Sequence, residues 1–287
     1  MLALAAYICW KQDFILFFVT DECAKYARPL KTTVRIMTAD LDRFCSLTSI
    51  TDREIETIER SVCLSVDINS VQPECNRKVF ESGLDWLERF IMRSHPELGR
   101  RGEVCPFVKP AHSEGSLAFC IWDVKALTFD MYVGVLKKLP ALYRRLYDKI
   151  SCKSRIFSVC IFVNGLREEQ YFKFIDEAHS IVKPHFMAAG LMIGEFHPLS
   201  VVPGVHSSAF RPMRSNRPAF VLRAMAPHDS MFIDRDGSHA ETRLRELTDY
   251  LLWLGGVLPK DEVRTIERRI AELELEIANR NCSRVAG

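Results

Sequence analysis

The stretch from Arg155 to Val163, Arg-Ile-Phe-Ser-Val-Cys-Ile-Phe-Val, is almost unbroken apolar sequence, closed by Asn164-Gly165. A run this short, rich in β-branched and aromatic residues, marks a strand covered on both faces. Such a strand needs neighbours on each side and other layers above and below it. Before it, Ser116–Val124 reads as a second strand, and Phe129–Lys149 as a helix that Pro140 kinks or divides. After it, Glu168 to about Val182 places Tyr171, Phe174, Ile175, Ala178 and Val182 on one side of a helix. Leu191–Phe196 then reads as a strand, 199–218 as an irregular proline-rich loop, and Ala219–Met225 as a further strand. This order predicts an α+β domain: a ferredoxin-like, split βαβ mixed sheet with helices on one face. A three-layer α/β sheet is the alternative.

The flanks are helical or unpatterned. Residues 1–50 form a leader with two apolar stretches, Met1–Trp10 and Phe14–Val19, interrupted by Lys11, Gln12 and Asp13. Neither stretch reaches the ~20 residues of a membrane span, and no basic start or small-residue cleavage site marks a signal peptide. The leader is expected to be poorly ordered or to form two short strands. Thr51-Asp52-Arg53-Glu54 has the form of a capping box and opens the main α+β region, 51–235. Gly83–Ser94 carries Leu84, Leu87, Phe90 and Ile91 at helical spacing. The remainder, 236–287, reads as a helical extension. After Pro259, Val263, Ile266, Ile270, Leu273 and Ile277 recur at spacings of three and four, an a/d seam over about two heptads. That seam either packs on the protein's own core or joins two copies as a homodimer.

Charge and cysteine usage narrow the function. The formal net charge is +2, and the basic clusters are as short as Arg144-Arg145, so neither nucleic acid nor membrane is the expected partner. Ten cysteines without C-x-x-C spacing argue against a structural zinc site and for a reducing, cytoplasmic setting. G-x-G-x-x-G, P-loop, H-E-x-x-H and G-x-S-x-G motifs do not occur. What remains is a small-molecule substrate or a binding role.

Three places could carry chemistry. Gly194-Glu195-Phe196-His197-Pro198 ends a strand where a long loop begins; a sheet fixes such a residue while the loop shapes a pocket. Histidine there suits metal ligation or proton transfer, so His197 is the first candidate. The loop that follows brings His206, Arg211, Arg214 and Arg217, and the next strand Arg223, with His228-Asp229 beyond. Arginines in this density suit a carboxylate or phosphate. The third place is Cys105-Pro106-Phe107, where Arg100 or Arg101 would favour a thiolate.

Cys105-Pro106-Phe107, the apolar strand near 116–122, Phe196-His197-Pro198 and Arg211-Pro212-Met213-Arg214-Ser215-Asn216-Arg217-Pro218 together resemble a bacterial domain family of unknown function. The likeness spans roughly residues 85–235. The pattern is also distantly similar to the YqcI/YcgG family, some of whose members are haem-dependent N-oxygenases. There the cysteine follows the proline; here it precedes it. The resemblance implies a haem-binding oxygenase acting on an amine, guanidine or amino-acid nitrogen. His197 would be the axial iron ligand, with Cys105 in the pocket wall or as alternative ligand. His206, Arg211, Arg214, Arg217 and Arg223 would meet haem propionates or a substrate carboxylate. The residues themselves leave two other readings open. One is a cofactor-free acid–base enzyme on an anionic small molecule, with His197 as base; the other is a binding or scaffold protein.

Overall fold

The chain divides into two units, Met1–Thr48 and Ser49–Gly287. The computed structural model describes residues 49–150, 154–235 and 238–285, with side chains as far as 281. The expected leader lies outside them. Helix α1 already runs at residue 49 and extends to 60, so Thr51 sits inside it and not at its cap.

The core of the second unit is one mixed sheet of five strands in the order β1-β2-β3-β5-β4. These are β1 (Cys63–Leu64), β2 (Leu117–Asp123), β3 (Ser158–Asn164), β4 (Leu191–Phe196) and β5 (Ala219–Ala224). The apolar run is β3, central as its composition requires. β2 and β3 are directly paired and parallel, joined by helix α4 (Phe129–Lys149). β5 lies antiparallel between β3 and β4. The β3–helix–β4 connection is therefore a split βαβ, while β2–α4–β3 is an unsplit one. Pro140 does not divide or end α4: the helix runs through it, over 21 residues in all. Leu136, Leu139 and Leu142 around the proline are fully buried. Their burial offsets the hydrogen bond that proline cannot make.

Helices cover both sheet faces, and the expectation of one covered face is corrected here. Ala118, Cys120, Trp122, Val159, Ile161, Val163, Phe220 and Leu222 point to α4 and α5 (Ala178–Ala188). The alternate residues Leu117, Phe119, Ile121, Cys160 and Phe162 point the other way, to α2 (Glu74–Trp86) and α3 (Val108–Ser113). A period of two sends both sets of apolar side chains into a core. Gly83 permits the approach of α2, since a Cβ there would lie 2.1 Å from the Phe162 ring.

Helices α2 and α5 each adjoin a wider turn. α2 runs into a π-helical segment, Leu87–Ile91, and α5 follows another, Phe172–Glu177. Such segments rotate the residues after them relative to a regular helix and recur at functional sites.

Helices α6 (Ala240–Leu254) and α7 (Lys260–Val285) close the chain. The heptad seam of α7 is occupied within the chain: Ile266 and Leu273 are buried with Leu247, Tyr250 and Leu254 of α6, and Val263, Ile270 and Ile277 pack beside them. Of the two roles the sequence left open for this stripe, packing on the protein's own core is the one these contacts show. No helix among the described residues is long and apolar enough to cross a membrane.

Candidate active site

A cavity of about 540 Å³ lies between the end of α2 and the sheet and reaches the edge strand β4. Its walls are largely apolar: Trp86, Leu87 and Ile91 from the end of α2, Leu117, Cys160 and Val221 from the sheet, and Val202–Val205 from the loop after β4. That volume falls in the range of small-molecule sites. Gly99 anchors the loop, since its left-handed backbone (φ 75°) lets the His206 carbonyl approach where a Cβ would lie 2.4 Å away.

Ionisable side chains interrupt the apolar wall. His179 Nε2 stands 3.2 Å from the Glu195 carboxylate, and both side chains are largely buried. His179 comes from α5 and Glu195 from β4. Lys183, one turn beyond His179, donates to the Phe232 carbonyl at 3.1 Å and pairs with buried Glu246 at 2.6 Å. Arg223 makes a two-pronged pair with fully buried Asp229, with Nη1 to Oδ2 at 2.7 Å and Nη2 to Oδ1. Burial works against the Arg223 charge; the Asp229 hydrogen bonds and charge outweigh it, and the guanidinium pKa is raised. The Phe107 ring lies under the guanidinium at 5.2 Å.

The sequence candidates separate on this geometry. Cys105, Arg223 and His206 line the cavity together. The Cys105 segment is pinned by its N–H to the Ile91 carbonyl at 3.0 Å, next to the π turn of α2. Its thiol is no ready thiolate: burial raises its pKa against the smaller opposing effects of backbone hydrogen bonds, Arg223 and Arg100. Arg100 gives one donor each to the Arg101 and Val104 carbonyls.

Arg211, Arg214 and Arg217 do not join them. Arg211 donates to the carbonyls of Ser208 and Phe210, and Arg214 to that of Ser200 at 3.0 Å. These two border a second, shallower depression beside His95 and Phe210. Half-buried Arg217 borders neither recess; burial lowers its pKa, and its Nε is enclosed without a hydrogen-bond partner among the described residues.

His197 is placed differently from its expected role. The side chain is fully buried, and its Nε2 lies 3.1 Å from both oxygens of Asp176. The Tyr171 and Phe172 rings pack against it at 5.5 Å. Nδ1 is enclosed, with no partner among the described residues. The ring is not on the cavity wall. An axial ligand must turn a ring nitrogen toward space that holds the iron, and His197 does not fit that role. Among the described residues no group of three or more His, Cys, Asp or Glu side chains is arranged for a metal ion.

His179, Lys183 and Glu195 are the site residues that single-position reading passes over. A signal for two of them exists. His179 and Lys183 stand four apart on a helix whose buried side carries Ala178, Val182 and Phe186, so they share one face.

This is a mixed α/β domain with a largely apolar cavity that reaches the edge strand β4. The family model for DUF6875, a domain of unknown function, matches residues 80–252, which include every cavity residue from Trp86 to Arg235. The chain belongs to that family. No curated protein and no solved structure matches the chain.

Proposed function

We propose that the chain is a small-molecule enzyme: it binds a largely apolar acid in the cavity beside β4 and moves a proton on it through His179, with Glu195 orienting the imidazole. The observation that carries this reading is the His179–Glu195 pair, 3.2 Å apart, opening onto a largely apolar cavity. A histidine held by a carboxylate in a mostly dry recess is a suitable general base or acid. Of the cations on the cavity wall, Lys183 is paired with Glu246 and Arg223 with Asp229, whereas Arg100 and Arg235 have no carboxylate partner among the described residues, which favours an acidic ligand.

The test is calorimetry with dodecanoate as probe. Saturable binding is expected, with loss in Val221→Phe, where a larger ring would occupy the cavity. Equal binding by that variant would place the ligand elsewhere. The likeness to the YqcI/YcgG haem oxygenases is decided by the absorption spectrum of protein from haem-supplemented cells. A Soret band with near-stoichiometric haem would overturn the cofactor-free reading, and would direct the search for a ligand to Cys105 and His206.

A further inference from the structure

The cavity meets β4 along its edge. Met192, Ile193, Gly194, Glu195 and Phe196 are consecutive, and all five line it. One face of a strand presents only alternate residues, so a run of five means that the backbone edge borders the space.

The direction of the backbone groups follows from the register. The Val163 N–H donates to the Pro218 carbonyl at 2.9 Å, so residue 218 and every second residue after it turn toward β3. Ala219, Val221 and Arg223 therefore turn toward β4, where they are in register with Phe196, Gly194 and Met192. The Met225 N–H, of the same parity, reaches the Gly190 carbonyl at 2.9 Å. Ile193 and Glu195 consequently direct their N–H and C=O groups outward. The Ile193 carbonyl meets His179 Nε2 at 3.0 Å, and beyond Glu195 the His197 N–H is taken by the Met213 carbonyl at 3.3 Å. Along this edge, among the described residues, the Ile193 N–H and both backbone groups of Glu195 have no hydrogen-bond partner. Yet both residues are buried, at 4% and 9% exposure. Buried peptide groups are almost always paired, and the space these groups face is the cavity.

We infer that the ligand carries peptide-like amides and lies extended along β4 as an added strand, pairing with Ile193 and Glu195. An open strand edge is a template for this mode of binding. At ~3.3 Å per residue the five-residue edge spans about 13 Å, enough for about three residues. A free carboxylate on the peptide suits the cations: Arg223 has Asp229 and Lys183 has Glu246, whereas Arg100 and Arg235 have no carboxylate partner among the described residues. The inference rests on the cavity being the ligand site, and it specifies the substrate class.

The probe is acetyl-Val-Leu-Val with a free C-terminal carboxylate, titrated into the full chain beside dodecanoate and three peptides each N-methylated at one amide. Tighter binding of the peptide than of dodecanoate is expected, by about tenfold or more, since dodecanoate lacks the amides. Methylation should weaken binding with alternating parity along the peptide, and hydrogen exchange at the Ile193 and Glu195 amides should slow on binding. Equal affinity for dodecanoate, or no alternation in the methylated series, would overturn the added strand and leave the cavity reading standing. Binding of neither probe would overturn both.

Discussion

Two histidine–carboxylate pairs flank the same strand end, and they differ in access. His197 and Asp176 are 3.1 Å apart, His179 and Glu195 3.2 Å. His197 is fully enclosed, with Tyr171 and Phe172 against its ring. It ties the end of β4 to the π turn before α5. His179 is one of the cavity's walls. The chemical groups are the same; only the open space in front of one of them makes it fit for a substrate. A motif that names a residue type does not report that difference.

The comparison can be broken in stability and in binding. The largest effect is expected for Asp229→Ala, which leaves the Arg223 charge buried without its partner. Chemical denaturation should show a loss of about 3–5 kcal/mol. Next comes His197→Ala, which empties a fully buried ring site and should cost about 2–4 kcal/mol. Probe binding at a temperature where that variant is folded should be unchanged. A His197 variant that kept its stability but lost binding would reverse the roles of the two pairs. His179→Gln keeps a donor for Glu195 and the cavity wall, so its stability should stay within about 1 kcal/mol. Turnover, once a substrate is in hand, should fall by ~100-fold or more. The smallest effect is one of rate. Burial raises the Cys105 thiol pKa, so the reactive thiolate should appear only above the ordinary thiol range. Iodoacetamide labelling read by mass spectrometry should be slow near neutrality, accelerate at higher pH, and lag behind that of exposed Cys75. Cavity ligands should slow it further.

The strands were legible because their signal is local. The apolar run before Asn164 specifies a central strand wherever the rest of the chain lies, and β3 is that strand. The α7 seam was legible as a pattern but not in its partner: heptad spacing says that Ile266 and Leu273 will be covered, and the short connection after Gly255-Gly256 brings α6 to cover them. The covering of both sheet faces was missed at α2, which begins at Glu74, nine residues before the expected start. Phe80 lies in that missed turn, and it fills the second face.

At the site, Cys105 and Arg223 were found because both stand out locally, one beside a proline and one within an apolar strand. His197 stood out equally, but its partner Asp176 is 21 residues away on a π turn. No local pattern announces that enclosure. Glu195 belongs to the same motif and was passed over, although the edge of β4 turns its backbone and side chain to the cavity.

The most direct measurement is a histidine side-chain NMR titration of the full chain with dodecanoate. A saturable shift of the His179 ring resonances, with the His197 ring unmoved, is the expected result. A shift confined to His197, with His179 silent at saturation, would contradict the assignment of the cavity beside β4 as the functional site.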